Sequence, residues 1–325
     1  MSADSTHDMP WMIIVNRSAA AGRVRRRWNA VLRSIERHLA SHEIHFTEYP
    51  QHAIDLAETL ASQGHRRFVS VGGDGTTHEV LTGILRAAPA DGSVTLGVIP
   101  MGTGGDFKRL LKHQRTLEDA VQAIAETEAR CVDVGRVRYA SNAGDTEERY
   151  FLNSTSFGLG GLVDKLVNET PKVFGGKVSF YIATLRAMAR YKCTSVRLKI
   201  DGEDVGEYDV ANVFVTNGRY TGGGMLVAEH SIVNDGLFDI SLVPDRGVMW
   251  MVTNVGKLYD GTFRQVPGIQ AWRASQIQAT HLKDQMGLLD VDGENPGKLD
   301  AFLEVVPLAI RIPNLIDEVF GPEPE

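Results

Sequence analysis

The chain has 325 residues, with 34 Lys and Arg against 41 Asp and Glu for a net charge of −7, and 43% of its residues are hydrophobic. That composition excludes a disordered, fibrous or collagen-like polypeptide, and the length predicts two domains, each able to bury its own core. The mild excess of acid disfavours a dedicated nucleic-acid binder, whose affinity comes from Lys and Arg clustered on the phosphate backbone, so no nucleic-acid partner is expected.

Near the N-terminus, the apolar run 11–15 follows Asp4 and Asp8 and stops at Asn16-Arg17. It is too short for a signal-peptide core. No window approaches the ~18 uninterrupted apolar residues that spanning a bilayer requires. Two cysteines, Cys131 and Cys193, cannot make a disulfide framework for a chain of this size and point to a reducing compartment. The expectation is a cytoplasmic protein, peripheral at the inner face of the membrane, that touches lipid without crossing it. A homodimer is compatible with the sequence, which does not fix the oligomeric state.

From residue 11 the chain alternates short apolar runs with amphipathic stretches. The strand at 11–15 precedes Val24, Trp28, Val31, Leu32, Ile35 and Leu39 at helical spacing. A strand at 44–46, a helix at 53–60, a strand at 68–71, a helix at 77–85 and a strand at 94–99 follow. Repeated strand–helix units predict an α/β domain with a Rossmann-like parallel sheet, whose ligands bind beyond the carboxyl ends of the strands. After about residue 130 the pattern changes to β-branched runs of period two at 196–200, 210–215, 237–243, 277–279, 288–291 and 303–306. These predict antiparallel strands, interrupted by helices at 159–167, 178–191 and 248–258. The domains expected are 1–140, α/β and nucleotide-binding, and 141–306, β-rich and lipid- and metal-binding. The segment 307–325 is expected to return to the first domain, and the polar turn 141–145 marks the boundary.

Directly after the apolar run 68–71 comes Gly72-Gly73-Asp74-Gly75-Thr76-Thr77, and then a helical pattern. Glycines let backbone N–H groups approach phosphate oxygens, and a helix N-terminus adds partial positive charge. Thr76 and Thr77 can cap that helix or donate a hydroxyl. The segment alone equally fits a tight turn with a capping Asp or Thr. A second loop, Met101-Gly102-Thr103-Gly104-Gly105-Asp106-Phe107, follows the strand ending at Pro100. In a parallel sheet both loops leave by the same edge, bringing Asp74 and Asp106 near a common point. Two carboxylates beside phosphate-cradling amides suit Mg²⁺ carried on a nucleotide.

These two loops resemble the signature loops of the diacylglycerol kinase catalytic domain family, in its soluble bacterial lipid kinase branch. The resemblance continues in family order through Val132-Asp133-Val134-Gly135, Gly222-Gly223-Gly224-Met225, Asn234-Asp235-Gly236-Leu237-Phe238-Asp239 and Leu289-Asp290-Val291-Asp292-Gly293-Glu294. It implies a two-domain fold like that of NAD kinase and diacylglycerol kinase, with a C-terminal antiparallel β-sandwich-like domain and nucleotide bound between the domains. It also implies ATP contacts at residues 16–20, including Asn16, and at Thr47, Gly72, Gly73, Asp74, Gly75, Thr76, Thr77, His78, Gly102 and Thr103. Asp74, Asp106 and Asp133 would hold the catalytic Mg²⁺, directly or through water. A second, structural Mg²⁺ would sit on the Asp235 carboxylate and the carbonyls of Ile232 and Leu237. Glu294 matches the family's proton acceptor, with Asp292 as the other candidate. From the residues alone, Asn234-Asp235-Gly236 also reads as a hairpin turn, and Asp292-Gly293 as a type I′ turn with Glu294 solvated.

The sequence departs from the family pattern at several places. Gly105 stands where Asn is usual, Arg17 replaces Pro, Ala19-Ala20 replace Ser-Gly, and Glu229-His230 follow Ala228 where Pro is common. Two basic clusters, Arg23, Arg25, Arg26, Arg27, Arg33 and Arg37, and Lys172, Lys177, Arg186, Arg190 and Lys192, fit an anionic lipid surface at about 1 kcal/mol per residue. Each also fits an ordinary solvated helix face. Histidines lack metal-ligand spacing and no GxSxG elbow occurs, so zinc and serine hydrolase readings receive no support.

The resulting expectation is an ATP- and Mg²⁺-dependent kinase acting on the free hydroxyl of a membrane lipid, diacylglycerol or a related glycerolipid foremost. A sphingoid-base or NAD kinase is the nearest rival, and the second loop argues against both. A non-catalytic nucleotide or lipid sensor is the rival of another class, opposed by the presence of Asp74, Asp106, Asp133 and Glu294. The sequence does not name the lipid.

Overall fold

The computed structural model describes residues 9–102, 105–112, 116–141, 143–159, 193–282 and 287–322. The chain forms two units, Met1–Val134 with Val306–Glu325, and Gly135–Val305.

In the first unit the alternation of apolar runs and amphipathic stretches becomes β1 (Trp11–Val15), α1 (Ala19–His38), β2 (His42–Phe46), α2 (His52–Ser62), β3 (Arg67–Gly72), α3 (Asp74–Ala87), β4 (Thr95–Pro100) and α4 (Leu117–Glu126). The strands are parallel in the order β2-β1-β3-β4, with Val15 beside Val71 and Val71 beside Ile99. Side chains alternate across a strand, so Ile13, Val15, Val69, Val71 and Ile99 form one face. That face packs on Val24, Val31 and Ile35 of α1 and on Val121 and Ile124 of α4. On the other face, Ser70 meets the Thr77 hydroxyl of α3 at 3.0 Å. There α2 and α3 come so close that a Cβ on Gly83 would lie 2.3 Å from the Ile54 carbonyl oxygen. Thr116 and Asp119 start α4 with a reciprocal capping box, which satisfies two orphan N–H groups. The C-terminal segment adds Arg311 beside Thr95 in parallel, and the Ile316 N–H donates to the Leu110 carbonyl at 2.8 Å.

In the second unit, β5 (Ala129–Ser141, entering from the first unit), β6 (Thr146–Phe151), β7 (Ser154–Gly158), β8 (Thr194–Ile200), β9 (Glu203–Thr216), β10 (Tyr220–Thr221), β11 (Met225–Leu226) and β12 (Phe238–Pro244) come first. They are followed by α5 (Gly247–Asn254), β13 (Gln270–Ala274), β14 (Gln276–His281), β15 (Leu288–Val291) and β16 (Glu294–Pro313). Antiparallel pairing closes on itself in the order β7-β15-β16-β14-β8-β9-β7, and β12 and β13 extend it from β9 to an edge at β13. Its core contains Phe151, Phe157, Val196, Val213, Phe238, Ile277 and Leu303. Tyr139 lies in this core with its hydroxyl donating to Glu147, and burial is the main cause that pushes its phenol up to about 12.

Several expected elements differ in extent. The polar run 141–145 turns the β5–β6 hairpin, with the Ser141 N–H on the Asp145 carbonyl at 2.8 Å. The strand expected at 303–306 is part of the 20-residue β16, and the helix expected at 248–258 is α5 followed by a 3₁₀ turn at Val255–Leu258. Apart from Leu159, the helices expected at 159–167 and 178–191 and the basic cluster at 172–192 lie outside the described residues. No helix among the described residues is long and apolar enough to cross a membrane.

Candidate active site

The two glycine loops leave β3 and β4 side by side. The Gly72 carbonyl accepts the N–H groups of Met101 at 2.6 Å and Gly102 at 3.1 Å. A Cβ on Gly102 would fall 2.8 Å from the Gly73 Cα, and one on Gly72 would fall 2.3 Å from the Thr76 hydroxyl, so neither position has room for a side chain. Asp74 opens α3 with its Oδ2 accepting the Gly105 N–H at 2.9 Å and the Asp106 N–H at 3.4 Å. The structure thus brings Asp74 and Asp106 together across the two loops. Gly73, at the N-cap of α3, supplies no side-chain cap, which leaves the start of this helix suited to an anion.

The end of β1 joins the same group. Asn16 donates from Nδ2 to the Thr76 hydroxyl at 3.2 Å, and its Oδ1 accepts the N–H groups of Ser18 and Ala19. The next turn is left-handed at Ala20, Ala21 and Gly22, so Ala20 takes a backbone that glycine adopts without a Cβ penalty. Thr47 hangs from β1 through its N–H on the Val15 carbonyl at 3.0 Å. Gly75, Thr76, Thr77 and His78 lie in the first turns of α3, where His78 is buried and Thr77 faces Ser70. Thr103 lies outside the described residues.

The departure at Gly105 has a physical reading. Its φ of +69° is left-handed, the region that glycine occupies freely and that asparagine tolerates best among the other residues. A Cβ there would meet nothing nearer than Lys108 Cβ at 3.6 Å. Gly105→Asn is therefore expected to keep nucleotide affinity and stability close to wild type. Gly105→Val, β-branched and left-handed, is expected to lose about 1–2 kcal/mol of stability. Urea unfolding and ATP titration of the two variants check both outcomes.

In the second unit, β15 and β16 are joined by Asp292 and Gly293, with φ of +48° and +85°, the two-residue left-handed turn that Asp-Gly favours. The turn reading of this motif is therefore correct in geometry. It also orients the two carboxylates differently. Asp292 points back: its Oδ2 accepts the Leu152 N–H at 3.0 Å and its Oδ1 those of Asn153 at 3.1 Å and Ser154 at 2.9 Å. Glu294, the first residue of β16, is exposed. Asp290, which the motif reading left without a role, is buried and accepts the Gly293 N–H at 2.8 Å and the Ser156 hydroxyl at 3.3 Å. The signal for it was the alternation Asp290, Asp292, Glu294, which puts successive even-numbered carboxylates around one turn.

The carboxylates differ in what they can hold. Mg²⁺ needs only one or two carboxylates beside waters and phosphates, so Asp74 and Asp106 fit an ion that arrives with nucleotide. Asp133 is fully buried and its Oδ1 accepts the Leu308 N–H at 2.8 Å, which fastens the returning C-terminal segment. No group of three His, Cys, Asp or Glu side chains among the described residues could hold a metal by itself. Asp235, the expected ligand of a second Mg²⁺, has protein partners of its own. Asp235 Oδ2 is paired with the Arg273 guanidinium and its Oδ1 accepts the Leu237 N–H at 3.1 Å, so positive charge is already in place. Arg273 Nε also lies 3.9 Å from Asp239, which Arg264 binds at 2.5 Å.

A parallel α/β unit with paired glycine loops and an antiparallel β-sandwich-like unit place the protein in the architectural class shared by diacylglycerol kinase-like and NAD kinase-like proteins. Residues 10–137 match the diacylglycerol kinase catalytic domain, and residues 153–314 match the YegS C-terminal NAD kinase beta sandwich-like domain. The chain is thus similar to the diacylglycerol kinase catalytic domain over its first part and to the YegS-type C-terminal domain over its second. It is 30% identical over 200 residues to the "Probable lipid kinase YegS-like" of Yersinia pestis (strain Pestoides F). The match covers 60% of this chain and 62% of that protein, so the chain spans under two thirds of the curated relatives it matches. A solved structure of a candidate diacylglycerol kinase from Bacillus anthracis str. Sterne superposes with a TM-score of 0.75 at 24% identity, covering 95% of this chain and 96% of that one. Another, of a diacylglycerol kinase from the same organism, gives 0.70 at 23% identity over 95% and 98%. Both likenesses concern the fold.

Proposed function

We propose that the protein transfers the γ-phosphoryl group of ATP to the free hydroxyl of a membrane lipid, with diacylglycerol or a related glycerolipid as the first acceptor class to test. The observation that carries this reading is the interlock of the two glycine loops, in which one Asp74 oxygen accepts N–H groups from Gly105 and Asp106 at the start of α3. Phosphoryl transfer needs positioning and charge stabilisation more than covalent chemistry, and this arrangement supplies both. Backbone N–H groups at 73–76 and the α3 N-terminus bind the phosphates, with Asn16, Thr47 and Thr103 as further nucleotide contacts. Asp74 and Asp106 would hold Mg²⁺, which when bound supplies neutralisation of the phosphate charge.

Glu294 accepts the proton of the lipid hydroxyl as the new O–P bond forms, and ADP leaves with the electron pair of the bond that breaks. Asp292, occupied by three backbone donors, shapes the turn that carries Glu294. The lipid-kinase names of the Yersinia relatives support the acceptor class, and the exposed arginines of α1 are consistent with work at an anionic membrane face. Incubation with labelled ATP, Mg²⁺ and mixed micelles of diacylglycerol, phosphatidylglycerol and sphingoid bases tests the reading. Label in a glycerolipid is expected; ATP binding with no lipid labelled would replace the kinase by a sensor.

A further inference from the structure

Among the described residues six large hydrophobic side chains are exposed, and four of them, Val248, Met249, Val252 and Tyr259, fall in one short stretch on and just after α5. Met249 is 75% exposed, the largest value of the six. The sequence of α5, GVMWMVTN, holds no charged residue. Its inner side is spoken for: Met251 is buried with Ala211, Phe214 and Phe263, and Trp250, Val255 and Leu258 pack half-buried on the same cluster. An ordinary surface helix puts polar residues opposite its packed side, whereas this one puts Val248, Met249 and Val252 there.

Charge selects the occupant. Between Asp245 and Asp260 the stretch contains no acid, and its only charged residues are Arg246 and Lys257, both exposed, in a chain of net charge −7. The Arg246 guanidinium lies 5.9 Å from the Trp250 ring centroid, beside the root of the apolar face. Apolar side chains flanked by cations match a bilayer with anionic head groups, where the first enter the acyl boundary and the second stay among the phosphates.

We propose that residues 246–259 form the surface by which the protein docks on an anionic lipid bilayer, Val248, Met249 and Val252 inserting and Arg246 and Lys257 holding head groups. This deepens the lipid-kinase reading, on which it rests for the reason to dock, by assigning where the chain meets its substrate's membrane.

The test is sedimentation with phosphatidylcholine vesicles with and without phosphatidylglycerol. Wild type is expected to bind the anionic vesicles, and the Met249→Asp/Val252→Asp double variant at least about tenfold more weakly. Brominated lipid is expected to quench indole fluorescence in wild type and much less in Trp250→Phe. If the aspartate variant does not fold, Met249→Ser/Val252→Ser serves with the same expectation. Unchanged vesicle binding in a folded variant overturns the proposal, as does a wild-type dimer that the substitution dissociates. Transfer to a short-chain lipid free in solution separates the two readings. Vesicle binding lost in the variant while wild type labels no lipid supports the docking surface and ends the kinase reading; labelling with vesicle binding unaffected does the reverse.

Discussion

Glu294→Gln will lower the rate of phosphoryl transfer by about 10²–10⁴-fold, the usual worth of a positioned general base, and will leave unfolding within about 0.5 kcal/mol of wild type. The reason for the first half is chemical, since a lipid alcohol is a poor nucleophile until a carboxylate takes its proton. The reason for the second is exposure: the Glu294 side chain begins β16 at the surface, and the amide keeps its size. Asp292→Ala will show the opposite balance. It strips the acceptor from the N–H groups of Leu152, Asn153 and Ser154, and hydrogen bonds to a charged group are worth roughly 1.5–3 kcal/mol each. A loss of about 3 kcal/mol or more is therefore expected, with the 152–154 segment released. Transfer rates at saturating ATP and urea unfolding of both variants decide the matter. A Glu294→Gln protein that still turns over, or a stable Asp292→Ala protein that does not, would exchange the roles assigned to the two carboxylates.

The loops of the first unit were legible because each part has a local signature. An apolar run of strand length, glycines and a helical period are adjacent in the chain, and parallel pairing of β3 with β4 then aligns the two loops without further information. The strands of the second unit were less legible where burial is not apolar. β7 reads Ser-Thr-Ser-Phe-Gly, yet all five residues are buried. Its hydroxyls are satisfied inside the sheet, Thr155 on the Asp290 carbonyl at 2.5 Å and Ser154 on Thr221 at 2.9 Å, a solution no hydropathy pattern announces. β16 hid its start because Asn295-Pro296-Gly297 reads as a loop. Gly297 is there for a different reason: a Cβ would lie 2.3 Å from the Ala140 carbonyl oxygen, a close backbone approach within the sheet. β5 hid because its buried residues change parity, Val132 and Val134 on one side of Gly135 and Val137 and Tyr139 on the other, as the chain leaves one unit for the next.

The candidate site divides along the same line. Contacts between near neighbours in the sheet, such as Asp74 with the second loop, followed from topology. The partner of Asp235 did not, because Arg273 reaches it from β13 across 38 residues and nothing in either motif names the other. The turn carboxylate is paired with a guanidinium, and that charge comes from a strand read as ordinary antiparallel sheet.

Arg264→Ala is expected to be the most destabilising single change in this part of the second unit, at about 3–5 kcal/mol. Asp239 sits in β12 at 3% exposure, and Arg264 binds its Oδ1 at 2.5 Å while donating to the Ser241 hydroxyl at 2.9 Å. Removing one partner of a buried pair leaves the other charge desolvated, and Arg273 Nε, 3.9 Å away on the exposed side, is too distant to replace a bonded guanidinium. Arg264→Lys keeps the charge but loses the fork that serves Asp239 and Ser241 together, so an intermediate cost is expected. Because most of the penalty is the stranded carboxylate, Asp239→Asn in the Arg264→Ala background should recover part of the loss, and a double-mutant cycle from urea midpoints at unchanged m measures it. A single-variant cost below about 1 kcal/mol would mean that solvent reaches Asp239, and that β12 and the 235–239 turn are held by packing of Phe238 and Ile240 rather than by charge.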